Sequence, residues 1–319
     1  MKNDSRDSAE NTFNDRARQG TVLCLEPKQG KGLSLLFMKT GDGSLSWTVA
    51  RKRSVPAFYA QDREPSPVLH KLNKEGNDNM QQTGLCDIHC HILPGVDDGS
   101  RNMEESLKML QMEYDDGVRC IMLTPHFRYQ MFEPPLEKVK QTFTELQKQA
   151  KEKWPDLTLR LGSEIHKSLD ITECLQKGER LRMGDTNYVL LEFSGVDPKS
   201  LIFERTLDLL NHGYKPIIAH IERYSNIRDD FDSMEELKDM GALIQVNADT
   251  ISGKDGFFVK RYARKLMKRD LIDLVGTDAH RSDSRTPGLA KAYEQAAKTI
   301  GSDYADWLFI QNPSLLFTT

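Results

Sequence analysis

A short stretch of the chain, residues 87–100, reads DIHCHILPGVDDGS. Its apolar and β-branched start predicts a strand that ends at two histidines. Because side chains alternate across a strand, His89 and His91 lie on one face and are placed to bind one ion. Pro94-Gly95 then turns the chain and is followed by the acidic Asp98. The stretch therefore predicts a strand whose end carries metal ligands.

The rest of the chain after this strand alternates between short apolar runs and amphipathic stretches. Strands are predicted to begin near Leu85, Cys120, Thr158, Tyr188, Lys215, Ala242 and Ile272. Helices are predicted at Met103–Asp115, where Ser100 with Glu104 signals the start, and at Pro135–Lys153, Leu201–His212, Met234–Met240 and Phe257–Lys268. This alternation predicts an α/β fold with parallel strands and right-handed crossovers. A (β/α)7 barrel suits seven strands, and an open doubly wound sheet is the alternative.

Histidine, aspartate or glutamate ends six of the seven predicted strands. Either fold gathers the residues at these strand ends along one edge. Only the sixth strand, which ends near Asn247, lacks a strong ligand. Buried imidazoles and carboxylates on one rim would lack partners without cations, so the set predicts a site for two or three divalent ions. Manganese, iron or zinc suits these ligand types. The candidate ligands are His89, His91, Asp98, His126, Glu164, Glu192, His220, Asp278 and His280.

Two arginines follow ligands closely. Arg223 comes three residues after His220, and Arg285 comes five residues after His280. Guanidinium groups bind phosphate in a bidentate manner, so both are candidates for phosphate contacts. His166, two residues after Glu164, is expected at the rim or behind the ligands, whereas His70 and His212 are expected to be surface or packing residues.

Composition narrows the function classes. The 319 residues include 44 basic and 48 acidic side chains, a net charge of −4, which argues against nucleic acid as a partner. No apolar run approaches the roughly 18 residues of a membrane span, and the start does not resemble a secretory signal. Five scattered cysteines do not suggest a disulfide framework, so a cytoplasmic protein is expected.

Residues 1–83 differ from the rest of the chain. They carry 13 basic and 10 acidic residues, a net charge of +3, which leaves −7 on residues 84–319. Only Leu33–Met38 and Trp47–Ala50 suggest strands. We interpret residues 1–83 as a flexible or weakly ordered extension and residues 84–319 as the barrel. Met80, just before the first clear strand, is a candidate true start.

The opening stretch resembles that of the bacterial PHP-type protein-tyrosine phosphatases of the CpsB/CapC/YwqE group, which accompany capsular and exopolysaccharide gene clusters. The resemblance covers about residues 84–317. Small departures are Cys90 in place of the usual Ser and Ile221 in place of the usual Pro. The further motifs, in the family's order, are Met103–Gly117, Thr124–Phe127, Gly162–Glu164, His220–Tyr224, Thr277–His280 and a C-terminal helix at Gln311–Leu316.

The resemblance implies a distorted (β/α)7 barrel with a trinuclear site, often of manganese. It implies in-line attack of a metal-bound hydroxide on phosphotyrosine, with phosphate held by Arg223 and Arg285. The implied partner is an autophosphorylated tyrosine kinase that controls polysaccharide export, and a homo-oligomer is compatible with the sequence. By position, His89, His91, Glu164 and Asp278 would hold one ion, Glu164, Glu192 and His220 a second, and Asp98, His126 and His280 a third.

A phenolic substrate also favours an aromatic rim. The candidates are Phe127, Tyr129, Phe132 and Tyr224, for which loop packing is the alternative role.

Parts of the pattern also occur in proteins with other functions. Histidinol-phosphate phosphatases and nuclease-like relatives belong to the same superfamily, and a metal-stabilised scaffold without catalysis is the alternative outside enzymology. Amidohydrolases usually add a carbamylated lysine where this chain has glutamate. Cys174 and Arg180 fit the Cys-x5-Arg spacing of cysteine phosphatases, but Leu181 replaces the Ser or Thr that should follow.

Overall fold

A computed structural model of the chain describes residues 84–168 and 170–317, together with three short strands nearer the N-terminus. Those strands, β1 (Leu23–Cys24), β2 (Leu35–Lys39) and β3 (Leu45–Val49), form an antiparallel sheet in the order β1-β2-β3. The two strands predicted in this region correspond to β2 and β3. The prediction of a weakly ordered extension, and Met80, lie outside the described residues.

The remaining strands are parallel and follow one another around a curled sheet in chain order, which excludes the open doubly wound alternative. They are β4 (Leu85–Cys90), β5 (Val118–Leu123), β6 (His126–Phe127), β7 (Thr158–Leu161), β8 (Glu164–His166), β9 (Tyr188–Glu192), β10 (Lys215–Ile218), β11 (Leu243–Asn247) and β12 (Leu274–Gly276).

Two of the seven predicted strands are each interrupted once. Thr124-Pro125 separates β5 from β6, and Gly162-Ser163 separates β7 from β8. Pairing continues across both breaks, since Leu123 lies opposite Leu161 and His126 lies opposite Glu164. Each interrupted strand therefore still occupies one position of a seven-strand barrel.

The first and last barrel strands meet and close the sheet. Cys90 forms a parallel bridge with Ala279, and the His91 N–H donates to the Ala279 carbonyl at 2.8 Å. Asp278 N–H donates to the His89 carbonyl at 2.7 Å. The fold is a distorted (β/α)7 barrel, as predicted, and its closure lies between two pairs of predicted metal ligands.

Helices connect successive strands, and the five predicted helices are present. Their order is α1 (Met103–Asp115), α2 (Leu136–Lys153), α3 (Ile171–Gln176), α4 (Lys199–Asn211), α5 (Phe231–Met240), α6 (Ala248–Ser252), α7 (Phe257–Lys268), α8 (Leu289–Ile300) and α9 (Ser302–Asp306). The expected cap of α1 was wrong. Asn102, not Ser100, accepts from the Glu105 N–H, while the Ser100 hydroxyl donates to the Asn102 carbonyl.

The interior of the barrel is filled by an apolar cluster whose members come from strands around the sheet, among them Ile88, Met122 and Leu190. Leu316 and Phe317 join this cluster. They belong to a C-terminal segment that runs as a π-helix over Trp307–Gln311 and a 3-10 helix over Pro313–Leu316, so the helix expected at Gln311–Leu316 is present mainly in 3-10 form. Within the described part of the chain, none of the helices combines the length and apolarity needed to cross a bilayer.

Candidate metal centre

The C-terminal ends of the barrel strands bring the candidate ligands together. Nε2 of His89 and Nε2 of His91 lie 3.4 Å apart, and Oε2 of Glu164 lies 3.3 Å from each. Oδ1 of Asp278 is 3.4 Å from Nε2 of His91. All four side chains are buried. Ligand atoms of His89, His91 and Asp278 lie within 4.8 Å of one another, and together with Glu164 these are the four residues that the family resemblance assigns to one ion.

Two further groups adjoin this one. His91, Asp98, His126 and His280 have ligand atoms within 4.8 Å of one another, and so do His126, Glu164 and Glu192.

His126 contributes to both of these groups. Its Nδ1 lies 2.9 Å from Oε2 of Glu164, and its Nε2 lies 3.7 Å from Oδ1 of Asp98. His220 Nε2 lies 2.8 Å from Oε1 of Glu164 and 3.8 Å from Oε1 of Glu192. All nine candidates therefore meet at one rim, and His126 lies between the second and third groups.

Backbone geometry at the rim requires unusual conformations. His220, Asp278 and Arg285 have φ values of 29°, 53° and 48°, in the region that residues other than glycine rarely adopt. Gly276 allows β12 to approach β4, because a Cβ there would lie 2.5 Å from Cβ of His89. Strained or crowded backbone of this kind is typical of functional sites.

Three residues that the sequence analysis did not single out orient the ligands. Oδ2 of Asp97 lies 2.8 Å from Nδ1 of His91 and accepts from the His126 N–H. Gln245 Oε1 lies 3.3 Å from Nδ1 of His89 and accepts from the His220 N–H at 2.7 Å. Such contacts fix the ring of a metal-binding histidine.

The third is Asn247, whose Nδ2 donates to Oδ2 of Asp278 at 3.0 Å. The sixth barrel strand, β11, for which the sequence indicated no strong ligand, thus orients ligands through Gln245 and Asn247. Their i, i+2 spacing within a buried strand was the available signal.

The donor set fits cations. Among the described residues, the buried side-chain atoms at this rim that make no well-aligned hydrogen bond include Oε2 of Glu164, Oε2 of Glu192 and Nε2 of His280, although Oε2 of Glu164 lies 2.9 Å from Nδ1 of His126. Buried polar atoms without hydrogen bonds are costly, and lone pairs of this kind are suited to bind cations.

The pKa values of the candidate ligands also fit a metal site. Burial alone would raise the pKa of Glu164, but the charges of His89 and His126 outweigh it and hold that pKa well below its usual range. Burial and the negative charge of Glu164 raise the pKa of Glu192 to about 7. Burial and the charge of His91 lower the pKa of His280 to about 2, so its ring is neutral and has a lone pair for a metal.

The two candidate arginines lie beside the ligands. Nη2 of Arg223 is 2.7 Å and Nη2 of Arg285 is 2.8 Å from the same oxygen of Asp278, Oδ2. Each arginine side chain is 45% exposed. Both guanidinium groups therefore face solvent at the edge of the ligand cluster.

The four aromatic candidates for the rim have different surroundings. Phe132 stacks on the His126 ring at 5.3 Å, and Tyr129 is 65% exposed near it in sequence. Phe127 is covered by the guanidinium of Arg180. Tyr224 is 1% exposed and its hydroxyl accepts from the Phe193 N–H, so the expectation of a rim position for Tyr224 was wrong.

The remaining histidines have other surroundings. His166 is half-buried with its Nε2 3.2 Å from Oγ of Ser194, and burial with Arg128 nearby lowers its pKa to about 4. His212 is exposed at the end of α4. His70 lies outside the described residues.

Cys174 has none of the features of a phosphatase nucleophile. It lies in α3, its Sγ donates to Oδ2 of Asp170 at 3.6 Å, and burial together with the Asp170 charge raises its pKa to about 11. Arg180 contacts Phe127 instead of forming a phosphate loop around the thiol. A reactive cysteine needs a lowered pKa, so this geometry argues against cysteine-based catalysis.

The sequence model of one family, described as capsular polysaccharide synthesis, CpsB/CapC, matches residues 85–318. The chain belongs to the CpsB/CapC family. Among similar members, the tyrosine-protein phosphatase CpsB of Streptococcus pneumoniae is 39% identical over 234 residues, covering 72% of this chain and 96% of its own. The tyrosine-protein phosphatase YwqE of Bacillus subtilis (strain 168) is 30% identical over 232 residues, covering 73% and 91%.

Solved structures agree with this family. The match described as YwqE from Bacillus subtilis and CpsB from Streptococcus pneumoniae, unique metal-dependent tyrosine phosphatases, has a TM-score of 0.67 at 30% identity and covers 73% of this chain and 94% of that chain. A phosphotriesterase homology protein from Escherichia coli, at 15% identity and a TM-score of 0.52, shares the fold alone. The site described above lies within the part of the chain that matches the CpsB/CapC family.

Proposed function

We propose that this chain is a metal-dependent protein-tyrosine phosphatase that acts in capsular or exopolysaccharide synthesis. One observation carries the proposal. The Asp278 carboxylate has ligand atoms of His89 and His91 beside Oδ1 and two arginines beside Oδ2. Groups suited to divalent ions and groups suited to phosphate therefore meet at one carboxylate. The tyrosine phosphatases named among the relatives support the choice of substrate class.

In this proposal two or three divalent ions occupy the site, with manganese as the expected metal and iron and zinc as the alternatives. His89, His91, Glu164 and Asp278 hold one, Glu164, Glu192 and His220 a second, and Asp98, His126 and His280 a third. When bound, such ions supply an activated water at neutral pH and neutralise charge on the phosphoryl group. Asp97, Gln245 and Asn247 hold the ligands in orientation for them.

The chain's own residues carry out the binding steps. Arg223 and Arg285 each direct N–H donors to the solvent edge, where a phosphate would accept them. Their fixed positive charges also stabilise the negative charge of the transition state. The phenol released from phosphotyrosine has a pKa near about 10, so it leaves without a strong general acid. Phe132, which stacks on the His126 ring, is placed to contact the phenol ring, and the exposed Tyr129 is the second candidate for this contact.

The physiological substrate in this proposal is an autophosphorylated tyrosine kinase in the cytoplasm that controls polysaccharide export. Residues 84–319 form the catalytic unit, and residues 1–83 form an extension whose role is separate from the chemistry. The proposal is compatible with a homo-oligomer.

The test compares substrates and metals on the full chain. We expect turnover of a phosphotyrosyl peptide that is lost with EDTA and restored by manganese, with little turnover of histidinol phosphate. Elemental analysis of the purified protein identifies the metal. Preference for histidinol phosphate would assign the chain to another phosphoesterase, and absence of all metal-dependent turnover would favour the scaffold interpretation.

A further inference from the structure

Helix α7 has an unusual charge for this barrel. Between Phe257 and Lys268 it carries five basic residues and no acidic one, whereas residues 84–319 as a whole have a net charge of −7. Its apolar face is used internally, because Ala263, Leu266 and Met267 are buried. The basic residues therefore face outward, away from the core that the helix covers.

The first turn of α7 adds exposed aromatic surface. Phe257 is 73% and Phe258 is 83% exposed, and they are among the few large apolar side chains so exposed in the described part of the chain. The helix begins shortly after α6, which directly follows the C-terminal end of β11. In a parallel barrel, segments that follow strand ends lie on the same face as the metal centre. The two phenylalanines are thus on the face where substrate arrives.

A groove of about 420 Å³ runs along this helix. It is lined by Arg228, Asp229, Phe258, Arg261, Lys265 and Glu222, among others. Glu222 lies in the same 3-10 turn as Arg223, the residue next to it in sequence, which contacts Asp278. Oε1 of Glu222 also accepts from the N–H of Asn247, whose side chain donates to Asp278, so this end of the groove is linked to the candidate metal centre by two hydrogen bonds.

The groove offers two positive charges without partners. Arg228 pairs with Asp229 at 3.5 Å, but no carboxylate of the described residues forms an ion pair with Arg261 or Lys265. The acidic Glu222 is 8% exposed, and its Oε1 accepts from the Asn247 N–H and the Thr250 hydroxyl.

We propose that this groove, defined by Phe258, Arg261, Lys265 and Glu222, binds the acidic polypeptide segment that flanks the phosphotyrosine of a protein substrate. Acidic side chains complement Arg261 and Lys265, and an apolar side chain packs on Phe258. The chain's own residues 1–83 carry a net charge of +3, which does not complement the groove. The inference rests on the proposed phosphatase function and specifies its substrate.

The test uses two phosphotyrosyl peptides with the full manganese-loaded chain. One has three glutamates on each side of the phosphotyrosine, and the other has glutamines there. We expect a several-fold lower KM for the glutamate peptide, with similar kcat, and the advantage should shrink as salt is added. Arg261→Glu/Lys265→Glu should raise the KM of the glutamate peptide about tenfold, because two exposed attractive pairs become repulsive. Turnover of free phosphotyrosine, which is too short to reach along the groove, should change less than twofold.

A matched control is available on α2. Lys148→Glu/Lys151→Glu makes the same charge change near the end of that helix that leads into β7, on the opposite face of the barrel. This variant should leave the KM for the glutamate peptide unchanged. Thermal unfolding of both variants checks that the fold is retained.

Other outcomes would overturn the inference without touching the proposed function. Equal KM values for the two peptides, with turnover of both, would show that the groove does not recognise acidic flanks. If Arg261→Glu/Lys265→Glu abolished binding to phosphatidylglycerol vesicles, or changed the oligomeric state, while the peptide KM stayed constant, the occupant would be a membrane or a second copy. Failure to hydrolyse any phosphotyrosyl substrate would instead contradict the proposed function itself.

Discussion

Arg223 and Arg285 contact the same carboxylate oxygen, Oδ2 of Asp278, at 2.7 Å and 2.8 Å. The other oxygen of that carboxylate, Oδ1, lies 3.4 Å from Nε2 of His91. Burial alone would raise the pKa of Asp278, but the hydrogen bond from His91 and the charges of His89 and Arg223 hold it well below its usual range. Asp278 is therefore a fixed anion that joins the ligand cluster to the arginine pair.

Replacement of either arginine should separate phosphate binding from metal binding. Arg223→Ala and Arg285→Ala should each lower kcat/KM for phosphotyrosyl peptides by roughly 100-fold, because each removes a charged donor from the transition state. Metal content should stay at the wild-type level, since neither residue offers a metal a lone pair. Steady-state kinetics with elemental analysis checks both. Arg101→Ala, at an exposed arginine, is the control, and a loss of bound metal in Arg223→Ala would contradict this separation of roles.

Replacement of a candidate ligand should remove the bound metal as well as the activity. Glu192→Ala and His220→Ala should each nearly abolish turnover together with loss of bound metal, because each removes a lone pair from the group around Glu164. The exposed His212→Ala serves as control. Circular dichroism and thermal unfolding verify the fold. Near-normal turnover in either variant would remove that residue from the metal centre.

Cys174 should be dispensable. Its raised pKa and its place in α3 predict that Cys174→Ser retains more than half of wild-type turnover. EDTA should inactivate wild type and variant alike. If Cys174→Ser were inactive while EDTA had no effect, the chemistry would depend on the thiol and not on metal.

Stability of the metal-free protein should depend on pH through Glu192. Its pKa is about 7 in the fold against 4.5 ordinarily, so between these values the folded state keeps a proton that the unfolded state releases. Stability is therefore lost as pH rises from about 4.5 to about 7, and Glu192→Gln should recover about 1–3 kcal/mol at pH 8 and less at pH 5. Urea denaturation of EDTA-treated proteins at both pH values measures this. An equal gain at the two pH values would refute the assignment to Glu192.

The N-terminal residues should not be needed for chemistry. A chain that begins at Met80 should fold and hydrolyse phosphotyrosyl peptides with kcat within about twofold of the full chain, because the family match covers only residues 85–318. Gel filtration and steady-state kinetics check this. A chain that begins at Leu110, inside α1, should fail to fold and is the control. Loss of activity on truncation at Met80 would show that the first 79 residues contribute to the barrel.

The fold was accessible from sequence because each βα unit carries its own local pattern. Seven apolar runs marked the strands, and their ends marked the candidate ligands. The residues that orient the ligands could not be predicted from local pattern. The contact between Gln245 and His89 joins positions 156 residues apart and depends on strand register. Ser100 and Asn102 both have suitable capping side chains, and tertiary contacts decided between them, because the Ser100 hydroxyl is engaged by Ser106. The sequence suggested a rim position for Tyr224, but its hydroxyl accepts from the Phe193 N–H and the side chain is buried.

The bridge between Cys90 and Ala279 gives the molecule a seam, and the candidate ligands lie on both sides of it. Within the barrel, His89 and His91 are synthesised with the first strand, whereas Asp278 and His280 follow the last strand. An ion coordinated across the seam would link the first and last strands of the barrel. A nascent chain that stops before Asp278 lacks the ligands on one side of the seam, so the metal centre is complete only when the barrel has closed.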